Sequence, residues 1–309
     1  MNFEHEESKL DFVKHRKKFF LISGIFLLGG IILLATLGLN LGIDFRAGTT
    51  MDVLANETIT TEEIQSHFED AGYEPEDIRL AGEDSTTARA KFVGGLTQKE
   101  TLELQGFFED IYGNTPSVST VTPMVGEELA RNAIISVLIA SVGIILYITV
   151  RFQFLYGLSA IIALFHDALF ILVVFSMTQM EVNIPFIAAV LTIVGYSIND
   201  TIVTFDRIRE NMSLEKRVKD FDDLARIVNK SLIQTLARSI NTVLTVVFAA
   251  AALFVLGGEG LRTFSFALVV GLVAGTYSSL FIAAQVWLVL KSKQLKKQKQ
   301  KKMELEPEG

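Results

Sequence analysis

The chain has 309 residues, half of them hydrophobic, with a mean hydropathy of +0.40 and a formal net charge of −7. A water-soluble globule rarely carries a positive mean hydropathy, so the composition argues against an ordinary soluble enzyme. Cysteine is absent, so any exported part must stand on its own core rather than on disulfides.

Apolar runs nearly free of charge occur at 19–39, 134–150, 154–177, 184–205, 240–256 and 264–290. Each is near or above the roughly 17–25 residues that cross a bilayer as a helix, which predicts six spans. Lys14, Arg16, Lys17 and Lys18 precede the first run, as basic residues precede a signal peptide's core. That run is longer than the roughly 7–15 apolar residues of a signal, and no small-residue cleavage site follows, so it reads as an uncleaved anchor.

Charge is distributed unevenly. Segment 1–18 carries five basic residues, tail 291–309 carries seven, and positions 207–238 hold eight. The short turns at 178–183 and 257–262 carry one basic residue between them, Arg262. By the positive-inside rule both termini and the loop at about 207–237 are expected in the cytoplasm. Residues 40–128, with eighteen acidic against five basic side chains, then form an exported domain, and 129–290 hold the second to sixth spans.

Within that domain, 49–55 and 88–93 alternate like half-buried strands, and 77–81 and 117–122 are shorter strand candidates. Helices are expected at 60–71 and 97–112, where Thr60 with Glu63 and Thr97 with Glu100 have capping-box spacing. The order β-α-β-β-α-β predicts a ferredoxin-like α+β unit between the first two spans of a polytopic helical membrane protein. His67 lies in an acidic helix with no second histidine or nucleophile, and is read as an ordinary surface residue.

The chemical signal lies at membrane depth. Asp200 is about 22 Å along its helix from Pro185, inside a hydrocarbon layer about 30 Å thick. A charge there costs at least roughly 2.5–3.5 kcal/mol, so such a residue faces the bundle interior and has a partner. Tyr196, Ser197, Asp200 and Thr204 fall on one helical stripe. Arg238, Asn241, Thr242 and Thr245 in the fifth span follow the same periodicity and supply a candidate partner. Burial and a neighbouring guanidinium act on a carboxyl in opposite senses, so small changes in distance or hydration switch its protonation. Asp206, nearer the cytoplasmic end, is expected to reach water or Arg207 and Arg209. His166 and Asp167, near the middle of the third span, read equally as relay members or as a polar pair bonding neighbouring helices. Gly271 and Gly275 form a small-xxx-small face before Thr276-Tyr277-Ser278-Ser279, which suggests close packing rather than chemistry.

These blocks, in this order, resemble the SecF family of the resistance-nodulation-division superfamily: Gly38 to Phe45, His166-Asp167, Gly195 to Asn211, and Gly271 to Ser279. The resemblance implies six transmembrane helices with a ferredoxin-like exported domain and a SecD partner with a matching bundle. It implies a non-enzymatic role in Sec-dependent polypeptide translocation across the bacterial plasma membrane, driven by the proton-motive force. The implied partners also include the Sec translocon channel with its accessory membrane proteins, the unfolded polypeptide and lipid. Nucleic acid, metal and cofactor are not expected, and no phosphate-binding G-x-x-x-x-G-K-[ST] loop occurs.

Proton coupling would fall to Asp200 and Arg238, accompanied by Asn199, Asn241, Thr242, His166 and Asp167. Gly42, Asp44, Phe45, Gly48, Asp206 and Arg207 complete the family pattern, and Ala47 stands where the family has the first glycine of Gly-Gly. Three rival readings are a proton-coupled exporter of small molecules or lipids from the same superfamily, an intramembrane aspartyl protease, and a passive scaffold. The G-x-G-D block of the protease is missing.

Overall fold

The computed structural model describes residues 10–81, 85–215, 218 and 220–305. The first nine residues of the N-terminal segment, positions 216, 217 and 219 of the 207–237 loop, and the last four of the basic tail lie outside the described residues.

Among the described residues, six long apolar helical stretches form a polytopic bundle. They are α1 (Arg16–Leu37), α5 (Pro123–Arg151), α6 (Phe154–Thr178), α7 (Ile184–Leu214), α8 (Phe221–Leu256), and a continuous rod made of α9 (Glu259–Ser278), a π-helical turn (Ser279–Ala283) and α10 (Ala284–Leu305). Several run well past their apolar stretches. Helix α8 starts nineteen residues before the run at 240–256, because Asp220 caps its first turn by accepting from the Asp223 N–H.

Helices α6, α7 and α9 occupy the centre, whereas α1, α5 and α8 expose much of their surface. Those exposed faces are apolar, with Leu21, Ile25, Leu28, Ile139, Leu146 and Phe248 among them, as contact with hydrocarbon requires. Close approach inside the bundle depends on missing side chains. A Cβ on Gly271 would overlap Ile193, and one on Gly275 would come within 3.0 Å of the Ser197 Cβ, so α9 lies directly on α7.

Between α1 and α5 stand α2 (Ile43–Arg46), β1 (Gly48–Leu54), α3 (Thr61–Asp70), β2 (Asp77–Ala81), β3 (Thr87–Val93), α4 (Gln98–Tyr112) and β4 (Ser117–Val121). The four strands form one antiparallel sheet in the order β2-β3-β1-β4. One face is apolar: Met51 and Val53 pair with Ala90 and Ala88. These small alanines leave room for Phe68, one helical turn after Ile64 in α3, and Phe108, one turn after Leu104 in α4, whose ring centroids lie 4.5 Å apart. Thr97 and Glu100 close a full capping box, and the Thr97 N–H donated to Glu100 holds that carboxyl below its usual range. Thr60 makes only its own half of the expected box, accepting from Glu63 N–H.

His67 departs from the surface reading. It is half-buried, with Nδ1 3.0 Å from the Tyr112 hydroxyl, which in turn donates to Glu63. Burial and then the Glu63 charge push the Tyr112 hydroxyl up to about 12.

Helix α2 and the turn after it join sheet to bundle. Gly48 has no space for a Cβ, which would strike the Phe92 carbonyl and Ile43. Ala47 sits at φ 61° and ψ 137°, a region that costs a non-glycine residue roughly 1–3 kcal/mol. Burial of its methyl recovers only about 0.8 kcal/mol. Ala47→Gly is therefore expected to stabilise the protein by about 1 kcal/mol in thermal unfolding; a lower melting temperature would show that the methyl outweighs the strain.

Candidate functional site

Two polar clusters lie among the helices, one opening to the exposed side of α7 and α8 and the other buried. The first surrounds Asp200, about 24 Å along α7 from Ile184. Its Oδ1 accepts from the Ser239 hydroxyl of α8 at 2.5 Å. Its Oδ2 is buried and has no protein partner. A cavity of about 70 Å³ opens beside it, walled by Tyr196, Asn199 and Asp200 of α7, Arg238 and Thr242 of α8, and Gly271 and Gly275 of α9. Such a volume suits a few water molecules.

Arg238 shares the cavity wall with Asp200, but no ion pair between them forms within 4.0 Å. The partner that the sequence overlooked is Ser239, one residue further along α8. Its hydroxyl points inward, while Arg238, Asn241 and Thr242 lie on the exposed side of the same helix. Asn199 and Thr242 line the cavity with Asp200, and Asn241 does not. Thr204, one turn further along the α7 stripe, is fully buried with an unpartnered hydroxyl.

The second cluster centres on Asp167, which with His166 is buried in α6. Its Oδ2 accepts from Ser197 of α7 at 2.6 Å and from Ser278 of α9 at 2.8 Å. The His166 Nδ1 lies 3.2 Å from Asp167 Oδ1, and its Nε2 lies 3.2 Å from the Ser23 hydroxyl of α1. Ser23 donates to Tyr277, and Tyr277 donates to the Phe19 carbonyl. Thr201 and Ser279 share a hydrogen bond of 2.7 Å, with the Ser279 hydroxyl also 3.2 Å from the Ser197 carbonyl.

Four helices thus meet at one His-Asp pair. The 271–279 block contributes polar contacts through Ser278 and Ser279 as well as the close packing expected of it, and the π-helical turn begins at Ser279. Ser197 links the clusters, since it donates to Asp167 and also lines the Asp200 cavity.

Asp206 lies elsewhere, at the bundle end away from the sheet. It pairs with Arg209 at 2.8 Å and with Arg151 at 3.7 Å. Arg207 pairs with Glu210 rather than with Asp206. At the opposite end Gly42, Asp44 and Phe45 pack against the α6–α7 turn: Asp44 Oδ2 accepts from the Ile184 N–H, and Phe45 joins the apolar cluster of Phe175, Val182 and Phe186.

Comparison with known proteins gives this arrangement a family. Residues 104–293 match the family model described as protein export membrane protein SecD/SecF, C-terminal, and residues 32–59 match the SecD/SecF GG motif. The protein translocase subunit SecF of Alicyclobacillus acidocaldarius is 41% identical over 295 residues, which covers 94% of this chain and 95% of that one. The chain belongs to the SecF family.

Other SecF-family relatives are fused to a longer protein. The protein translocase subunit SecDF of Bacillus subtilis is 51% identical over 290 residues, covering 94% of this chain. The crystal structure of SecDF from Thermus thermophilus superposes with a TM-score of 0.82 at 33% identity over 93% of the chain. SecDF in its super-membrane-facing form gives 0.71 at 32% identity over 96%. The chain spans 39% of the length of the first two SecDF proteins and 40% of the third. The GG-motif match covers the segment where this SecF-family chain has Ala47-Gly48.

Proposed function

We propose that this chain works with a SecD subunit in the bacterial plasma membrane, using the proton-motive force to promote Sec-dependent translocation of unfolded polypeptide. Both termini face the cytoplasm in this reading. The sheet, with the strand order of a ferredoxin-like fold, lies on the far side, where it meets the emerging chain. The placement of basic residues at the ends and in the 207–237 loop supports that orientation. The names of the SecF and SecDF relatives support the export role.

The observation that carries the mechanism is the Asp200 carboxyl: one oxygen is held by Ser239, and the other is buried without a protein partner beside a cavity that Arg238 also lines. A proton arriving through the cavity adds to Oδ2, while Ser239 keeps donating to Oδ1. Neutralising the carboxylate removes its attraction to the Arg238 guanidinium, and α7 and α8 repack. Deprotonation towards the other side restores the first arrangement.

The His166–Asp167 cluster stands one serine away, through Ser197. It holds α1, α6, α7 and α9 together and gives a proton a second set of exchangeable hydrogen bonds. On α8, Arg238, Asn241 and Thr242 are exposed on the single chain at membrane depth, a costly placement in lipid. A SecD bundle packed on this face would cover them. The translocon channel, its accessory proteins and anionic lipid beside the basic tail are further partners in this reading.

A small-molecule or lipid exporter is less well supported. Ligand pockets usually enclose roughly 300–1,000 Å³, and the Asp200 cavity of about 70 Å³ is far smaller. Co-reconstitution of the chain with SecD and translocon in proteoliposomes tests the function. Export of a secretory polypeptide is expected to rise when an inward proton gradient is imposed and to fall to the SecD-free level when it is collapsed. Export indifferent to the gradient would contradict the reading.

A further inference from the structure

The segment between α1 and the sheet is fastened to the α6–α7 turn through a series of hydrogen bonds. The Ser176 hydroxyl donates to the Gly38 carbonyl at 2.7 Å, and the Asn40 amide donates to the Gln179 carbonyl at 3.0 Å. Val182 N–H donates to the Asn40 carbonyl and Gly42 N–H to the Val182 carbonyl, both at 2.8 Å. The two segments pair through an isolated bridge between Leu41 and Val182, and a Cβ on Gly42 would meet the side chain of Glu181.

The last contact reaches α7 itself. The opening turn of a helix leaves N–H groups without intrahelical acceptors. In α7 Pro185 has none to offer, Asn183 Oδ1 takes that of Phe186, and Asp44 Oδ2 takes that of Ile184 at 3.0 Å. Part of the cap therefore comes from a different element, and it is a carboxylate at the positive end of the helix dipole. Beside it, Lys91 of β3 forms an ion pair with Glu181, with side-chain exposures of only 10% and 20%. Gly126 of α5 packs against the backbone of the same short helix that carries Asp44.

We propose that Asp44 is a positioning residue which, with the Lys91–Glu181 pair, locks the outer end of α7 to the base of the sheet domain. Displacement of the helix that carries Asp200 is thereby delivered to the domain. The proposal rests on Asp200 being the protonated group. From Ile184 to Asp200 the helix is a single rod of about 24 Å, without a break or a proline beyond its first turn. A tilt set at Asp200 thus moves the Asp44 contact with it. The small α2 wedge, clamped by β1, α5 and the α6–α7 turn, passes the motion on.

The protein's lack of cysteine permits a direct test. Spin labels at Glu62→Cys in α3 and Thr192→Cys in α7, both exposed positions, report the domain-to-α7 distance in the full chain with SecD in nanodiscs. The parent is expected to give one narrow distance, which Asp200→Asn shifts. Asp44→Ala, Lys91→Glu and Glu181→Lys should each broaden it and abolish the shift. Asp44→Asn, which keeps the acceptor oxygen, and the double reversal Lys91→Glu/Glu181→Lys should restore both. Proton-driven export should fall roughly fivefold or more in Asp44→Ala and recover in the asparagine variant.

An unchanged distance and unchanged export in Asp44→Ala and Lys91→Glu would overturn the lock. If Asp44→Ala does not fold, the charge-reversal cycle decides alone, and failure of the double reversal to restore the distance counts against it. A parent distance that Asp200→Asn does not shift would instead contradict the role of Asp200, leaving the lock to be judged on the broadening.

Discussion

Asp200→Asn is expected to abolish the dependence of export on the proton gradient while leaving the protein folded. The amide oxygen still accepts from Ser239, so the α7–α8 contact is kept, and the cavity loses nothing in volume. What disappears is a group that binds and releases a proton. Each charge crossing under 100 mV delivers about 2.3 kcal/mol, enough to shift a two-state ratio roughly fifty-fold. Gradient-driven stimulation should therefore drop to background. In the same assay Ser239→Ala should reduce it less, since the carboxyl remains but is less firmly held. Arg238→Lys keeps the charge but loses the planar fork and should give an intermediate loss. Wild-type stimulation in Asp200→Asn would remove the basis for proton coupling through this site.

The second large effect is on stability. Asp167→Leu leaves the Ser197 hydroxyl without its acceptor and His166 Nδ1 without its neighbour, and it takes from Ser278 one of two acceptors, the Gly275 carbonyl remaining, all inside the bundle. Each buried polar group left unpaired costs roughly 1–3 kcal/mol, so a loss on the order of 3 kcal/mol or more is expected. Asp167→Asn retains one acceptor oxygen and should lose about 1 kcal/mol. Thermal unfolding of the purified protein in detergent distinguishes the two variants. A leucine variant as stable as wild type would mean that the cluster does not hold the helices together.

These two sites differ in how far the sequence announces them. Long apolar runs separated by charged segments reveal the six spans, because lipid demands that composition and leaves little freedom. The strand and helix order of the sheet domain is equally legible, since Met51 and Val53 alternate with polar residues and Thr97 with Glu100 marks a helix start. Asp200 stands out because a carboxyl at that depth is expensive. Its partner does not. Arg238 is conspicuous by charge, yet the contact is made by Ser239, a small residue whose direction depends on the rotation of α8 about its axis. Hydropathy does not encode that rotation.

The other misses have the same origin. The first half of α8 lacks a spanning apolar run, yet Leu224, Ile227, Val228, Leu232 and Leu236 recur at helical spacing after the Asp220 cap, so it is legible as an amphipathic helix and not as part of a span. Asp44 and the α7 N-terminus are 140 positions apart, and nothing local to either predicts that they meet. His67 in an acidic helix gave no sign of its contact with Tyr112 in the following helix. Side-chain identity predicts what a residue requires; which neighbour satisfies it is decided by tertiary packing.

The most direct measurement is difference infrared spectroscopy of the SecD-bound protein in membranes, recorded as pH is varied and compared with Asp200→Asn. A carboxyl C=O band that grows as pH falls, moves when Ser239→Ala removes its hydrogen bond, and vanishes in Asp200→Asn is the predicted result. A spectrum in which wild type and Asp200→Asn respond identically would show that the carboxyl never changes its protonation state, contradicting the proposed coupling.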